Sequence, residues 1–427
     1  MIPPHVPDEI LFEIFSCLPC QDLARVSLAA RRLHCISQPL LYKQPELNDR
    51  VNHHPSSIQS FIRTLLTAGC EHLANDVRYL TISWRELPVG PISADYAPLK
   101  IAASSFGLGD WPFTDDIHIM LLLHLLPSLK TLHFHPVGVT HWFRNLPHLH
   151  SHWQPQNPIP PGLLFLREFR CDFQGCVRPR SLTFLLALPN LRSLALPICG
   201  EVGLALRGSA IPIPRSSDVT SLEFNYARMS HSSLKSILTI PRALTHFYYR
   251  GMRSTNLIGF HRALAPLRES LQTLVLDFSA VDVERARARQ EGQGEEEDGV
   301  SLRDWTALRN VAVSLVVLVG IPERQAEMAE VADVLPPGIT MLRLLKDGFW
   351  TESEATMALV AMLGRKEEMV PRLESVGLWE KVEGDVEEKL RDVCSSTRVQ
   401  ILDAGADLGR VFATARDEED QPPSRRI

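Results

Sequence analysis

Eight of the sixteen histidines fall between His118 and His152, among them His133-x-His135 and His148-x-His150-x-His152. Histidines at alternate positions of a strand or extended segment share a face, and imidazoles so placed can bind zinc or copper. No carboxylate or cysteine stands beside the trio to complete a site, so the expectation is no metal and no cofactor. Cys17-x-x-Cys20 has the spacing of a zinc or redox pair, but it crosses an expected helix end and no second pair follows at zinc-finger distance. Cys171-x4-Cys176 is equally solitary, and the eight cysteines read as separate thiols. Phosphate-cradling glycine loops, HExxH and GxSxG are absent from the sequence, and no nucleophile has a partnered base. The expectation is a protein without catalysis of its own. An α/β enzyme is the third reading, and it requires a pocket with converging polar groups.

The elements that must position these residues are short. Proline makes up 31 of 427 residues, above the average of about 5%, and each one tends to end a helix or strand. Net charge is −6, which disfavours a dedicated nucleic-acid binder. Residues 1–281 carry 25 basic and 20 acidic side chains, and residues 282–427 carry 19 and 30. Only 8 of the 44 basic residues are lysine, and arginine is the better fork for carboxylate or phosphate. The longest apolar runs, Ile117–Leu126 and Val311–Ile321, are far shorter than the ~20 residues that cross a bilayer. No secretory signal pattern opens the chain. The expectation is an intracellular protein, cytoplasmic or nuclear, without membrane contact.

Residues 1–45 read as three short helices. Pro7-Asp8-Glu9 suits a helix start, where proline gives up no hydrogen bond and acids meet the positive dipole end. Ile10, Leu11, Ile14, Phe15 and Leu18 then make one apolar stripe, and Pro19 ends the helix. Gln21–Ala30 and Arg31–Leu41 give the second and third helices. About 40 residues bury too little surface to be secure alone, so their apolar faces need the rest of the chain or a partner.

Val6-Pro7-Asp8-Glu9-Ile10-Leu11, Ile14-Phe15, Leu18, Asp22-Leu23, Arg31-Arg32-Leu33 and Pro39-Leu40-Leu41-Tyr42 together resemble an F-box of the fungal kind. The resemblance covers the first tenth of the chain. The sequence departs from the usual pattern at Val6, at Ala29-Ala30 and at Leu33. The resemblance implies docking on the Skp-type adaptor of a cullin–RING (SCF) ubiquitin ligase. Carried over by position, Pro7, Ile10, Leu11, Ile14, Leu18 and Leu23 contribute to that contact, or some of them face the module's own core.

Beyond the module a hexad, apolar-x-x-apolar-x-apolar, recurs. Copies begin at Leu129, Leu191, Val219, Leu244, Leu271, Leu308, Ile339 and Leu373, with weaker ones at Val77, Leu166 and Val399. From Leu166 to Leu271 the steps are 25, 28, 25 and 27 residues, and the later ones are 37, 31, 34 and 26. This matches leucine-rich repeats of 20–29 residues stretched by insertions. The last two apolar positions of each hexad point inward from a strand, and the preceding apolar run supplies a covering helix. No such repeat buries its face alone, so neighbours must stack. The expected class is α/β: a short three-helix F-box followed by a curved leucine-rich-repeat-like solenoid with degenerate repeats. The competing reading is a doubly wound α/β domain, and Val311–Val319 in particular could form a longer buried strand.

The expected organisation is 1–45 F-box, 46–115 linker and irregular first repeat, 116–415 solenoid and 416–427 disordered tail. Residues 87–113 read as an extended loop and His148–Gly162 as a surface loop. A disordered acidic insertion is expected near residues 290–300. Outward positions of successive hexads include Lys130, and Arg167, Arg170, Arg192, Tyr248 and Arg250 are the candidates to grip an acidic or phosphorylated client. With the resemblance, the expected function is a non-catalytic substrate receptor that holds a client protein near a ubiquitin-charged enzyme. The alternative is a binding scaffold whose F-box-like helices only cap the first repeat.

Overall fold

The computed structural model describes residues 6–48, 57–67, 70–85, 97–106, 115–137, 160–172, 179–197, 214–227, 229–251, 257–278, 301–319, 331–346, 350–378 and 385–402. The chain forms two compact units, Met1–Asn225 with Thr239–Arg242, and Tyr226–Leu238 with Ala243–Ile427. The expected acidic insertion, the C-terminal tail, the histidine trio, Cys176 and Cys199 lie outside the described residues.

The first unit opens with α1 (Asp8–Ser16), α2 (Cys20–Ala29) and α3 (Arg31–Lys43). Pro7 and Pro19 stand extended immediately before α1 and α2, where a missing N–H costs nothing. Leu11, Phe15, Leu23, Leu33 and Ile36 make the core of this trio, with Leu18 and Leu41 packed against it. Arg32 Nε donates to Asp8 Oδ1 at 2.8 Å and fastens α3 to the start of α1.

Parallel strands β1 (Glu46–Asn48), β2 (Tyr79–Arg85), β3 (Thr131–Val137), β4 (Glu168–Cys171), β5 (Ser193–Pro197) and β6 (Ser221–Ala227) follow. Within this unit each pairs in register with the next in chain order. The second unit repeats the plan with β7 (His246–Gly251), β8 (Thr273–Asp277), β9 (Asn310–Ser314), β10 (Met341–Leu345), β11 (Ser375–Gly377) and β12 (Gln400–Leu402). Its strands also pair in sequence order. Neither unit contains the reversal of strand order that defines a doubly wound sheet. The strand-and-helix repeat is the architecture of both.

Ten of the eleven hexads seat all three apolar positions as the period requires; in the last, Val399 is buried, Leu402 is half-buried and Ala404 lies outside the described residues. The first apolar residue of each is buried, from Val77 and Leu129 through Leu244 and Leu308 to Val399. The next two also point into the core: Leu132 and Phe134, Leu194 and Leu196, Leu222 and Phe224, Phe247 and Tyr249. A backbone device repeats with them. The carbonyl of Arg78 accepts both Lys130 and Thr131 N–H, that of Lys130 accepts Arg167 and Glu168, and that of Arg167 accepts Arg192 and Ser193. Arg192 serves Thr220 and Ser221 in the same way. In the second unit Thr245, Gln272, Arg309 and Thr340 do the same for their successors. At each of these eight junctions one carbonyl thus satisfies two N–H groups of the next repeat.

Four expectations change. Residues 97–105, read as loop, form α6 (Ala97–Ser105) after α4 (Ser57–Leu66) and α5 (Glu71–Asp76), with Leu99 and Ala103 buried. Residues 46–48, in the stretch read as linker and irregular first repeat, form β1, because β2 offers it a partner edge. Val311–Val319 falls in the five-residue strand β9, which starts at Asn310, and then in a helix, Leu315–Val319. The neighbouring strands β8 and β10 are five residues long, so beyond Ser314 the chain has no ladder partner and satisfies its backbone internally. Finally, Pro160 and Gly162, at the end of the expected surface loop, are buried at the start of the helix Pro161–Leu164. A Cβ on Gly162 would lie 2.5 Å from the Leu123 carbonyl oxygen of α7 (Asp115–Leu125).

Two predictions follow from this packing. Gly162→Ala must push the helix Pro161–Leu164 off the end of α7, and thermal unfolding should show a loss of about 1–3 kcal/mol. In the second unit His231 and His261 each hold a buried Nε2 without a hydrogen-bond partner among the described residues. Burial lowers the pKa of both, helped at His261 by Arg268 and opposed there by the Ser301 carbonyl and Asp304. A depressed imidazole means the unfolded chain takes up protons first, so stability should fall as pH drops below the ordinary histidine value of about 6.5. His231→Gln should flatten the dependence of melting temperature on pH over that range.

Candidate functional site

Helix α1 divides its apolar residues between two faces. Leu11 and Phe15, four residues apart, are 4% exposed and sit in the module core. Ile10 and Ile14, also four apart, are each 51% exposed, and Pro7 lies on the same stripe and is exposed. Phe12 beside them and Leu28 on α2 add further exposed apolar surface. Of the six residues singled out in the sequence, Pro7, Ile10 and Ile14 therefore face outward. Leu11 and Leu23 serve the core, and Leu18 is half-buried against it. The stripe read as one face in the sequence is two, because five apolar residues over nine positions exceed what one core can take. Phe12 and Leu28 were missed, since neither falls on the core period.

The other end of the module is continuous with the repeats. Tyr42 stacks on Phe61 of α4 with ring centroids 5.9 Å apart. The Lys43 carbonyl accepts the Arg78 N–H at 3.0 Å, and that of Pro45 accepts the Thr81 N–H. The trio thus covers the first repeat with α3 and leaves the outer side of α1 uncovered.

On the sheet of the first unit, residues that alternate with the core positions form a polar constellation. His133 Nε2 lies 3.4 Å from Glu168 Oε1, and His135 Nδ1 lies 2.9 Å from Asp172 Oδ2. Arg170 reaches Asp172 at 3.1 Å and Glu223 at 3.7 Å, and Asn225 donates to Glu223 at 2.8 Å. Burial works against the charge on Arg170, but Glu223 and Asp172 outweigh it and hold the guanidinium above its ordinary pKa. His133 and His135 are thus placed among carboxylates. Among the described residues no group of three or more His, Cys, Asp or Glu could hold a metal ion. Cys17 and Cys20 are both exposed free thiols.

The five candidate client residues separate by environment. Arg170 is enclosed by carboxylates, Arg250 pairs with Asp277 at 3.3 Å, and Tyr248 packs on the Val275, Ala312 and Leu345 cluster. Arg167 and Arg192 are exposed and occupy the carbonyl positions of the backbone ladder, outside the sheet face. Hexad parity alone had placed all five on one surface. Glu223 on β6 and Asp277 on β8 reach Arg170 on β4 and Arg250 on β7, and a single-strand pattern carries no record of other strands.

Residues 4–48 match a family model described as F-box-like. Comparison of the whole chain with curated proteins gives no match. Among the described residues no helix is long and apolar enough to cross a membrane.

Two substitutions separate the roles on α1. Leu11→Ala removes core volume and should cost about 2–5 kcal/mol in thermal or denaturant unfolding. Ile10→Ala should stay within about 0.5 kcal/mol of the parent chain. On the sheet, Arg170→Glu places a fourth acid among Glu168, Asp172 and Glu223 and should lower the melting temperature of the intact chain.

Proposed function

We propose that the protein is the substrate-recognition subunit of an SCF-type cullin–RING ubiquitin ligase. The module at residues 4–48 docks a Skp-type adaptor, and the repeats, of leucine-rich-repeat type, hold a client protein. One observation carries the reading: within an F-box-like match, the trio closes its own core and still leaves Pro7, Ile10 and Ile14 exposed on the side of α1 away from the repeats. An uncovered apolar stripe on a module this small is what an interface core needs. No bond chemistry is assigned to this chain. Its contribution is proximity, which raises the effective concentration of client lysines near the ubiquitin thioester.

A second reading has its own support. The junction through Tyr42, Lys43 and β1 is what a solenoid cap requires, and a scaffold unconnected to ubiquitylation would need no more than that. Capping and docking use opposite sides of the trio and are compatible. Deleting residues 1–45 strips the cover from Phe61 and so confounds the two. The better test is Ile10→Glu with Ile14→Glu in the intact chain. Retention of a purified Skp-type adaptor should weaken by tenfold or more, the scale of interface anchors, with an unchanged melting curve. Undiminished retention would leave the cap as the sole role.

A further inference from the structure

The ladder carbonyls of the first unit belong to Arg78, Lys130, Arg167 and Arg192, so four successive repeats set a cation at one equivalent position. The ladder contact is made by backbone atoms and asks nothing of the side chain. The equivalent positions of the second unit carry Thr245, Gln272, Arg309 and Thr340, and Arg309 there turns its guanidinium onto the carbonyls of Thr306, Leu308 and Gly338. Stacking like charges on adjacent strands, about 4.8 Å apart, works against folding. Arg167 and Arg192 are exposed, and Arg78 and Lys130 are half-buried. Arg242 extends the basic edge, and Asp218 lies 3.7 Å from Arg192 and 3.5 Å from Arg242. Lys130 has no carboxylate partner among the described residues.

We propose that this ridge, Arg78–Lys130–Arg167–Arg192, is a docking edge for an extended acidic segment of a client protein. The proposal rests on the substrate-receptor reading for the origin of its occupant, and its chemistry comes from charge complementarity. Three strand gaps span about 14 Å, the length of roughly four extended residues. An occupant therefore brings two or three carboxylates or phosphates within about five residues, and arginine forks take either. The face bearing Arg170 is excluded as the gripping surface because its own acids already occupy it.

The test uses the full chain and a fluorescein-labelled peptide of about twelve alternating Glu and Gly residues, read by anisotropy. The parent should bind it, and raising salt from about 50 to 300 mM should weaken binding several-fold, as screening requires. Lys130→Glu with Arg167→Glu should lose about tenfold or more, while melting temperature and adaptor retention stay unchanged. Lys130→Gln with Arg167→Gln is the milder variant should the reversal fail to fold, and it should lose severalfold. Absence of binding by the parent, or equal binding by both variants, overturns the proposal. Tighter binding of a single-stranded oligonucleotide of matched charge also overturns it and makes the edge a nucleic-acid surface. Adaptor retention measured in parallel keeps the readings apart. Peptide binding without adaptor binding sinks the ligase assignment alone, and adaptor binding without peptide binding sinks the ridge alone.

Discussion

The structure depends on one backbone economy. At eight junctions a repeat presents a single carbonyl that receives two consecutive N–H groups from its successor, and the strand begins immediately after it. With that junction fixed, the register of the following parallel strand is fixed too, and both later apolar residues of the hexad fall on the core side. An unpaired N–H or carbonyl buried at such a junction would cost a large part of a domain's small net stability. The sharing therefore lets short, proline-bounded strands survive where ordinary strand ends would be left unsatisfied.

This junction also explains where the two outward surfaces come from. The N-terminal trio meets the repeats through the end of α3 and the Lys43 carbonyl, which leaves α1 on the far side with its second apolar stripe uncovered. At the ladder positions the shared contact is made by backbone atoms whatever the side chain, and in the first unit these positions carry cations. The sheet face between has no such freedom. There, cross-strand neighbours pair acid with base, and the charges mostly satisfy one another.

Much of this was legible in the sequence for a definable reason. A hexad reports local alternation, and local alternation sets which residues of a strand face the core, so the ten copies from Val77 to Leu373 seat as their spacing demands. The trio was legible through Pro7, Pro19 and the apolar residues between them. What was illegible lies between strands. β1 has no hexad and exists because β2 offers an edge, and β9 stops at Ser314 because its neighbours stop. Arg170 and Arg250 looked available for the same reason, since their partners Glu223 and Asp277 sit on other strands. Gly162 was read as a loop residue, and its need for closeness to Leu123 is written only in the packing of two helices.

The steps between hexads range from 25 residues to 52, yet the strands keep the same parallel pairing at both extremes. Extra chain between junctions never enters the count that sets alignment. Such a protein can lengthen or trade whole excursions during evolution, one at a time, while the rungs on either side keep their places. Novelty on its surface can accumulate without putting the scaffold at risk.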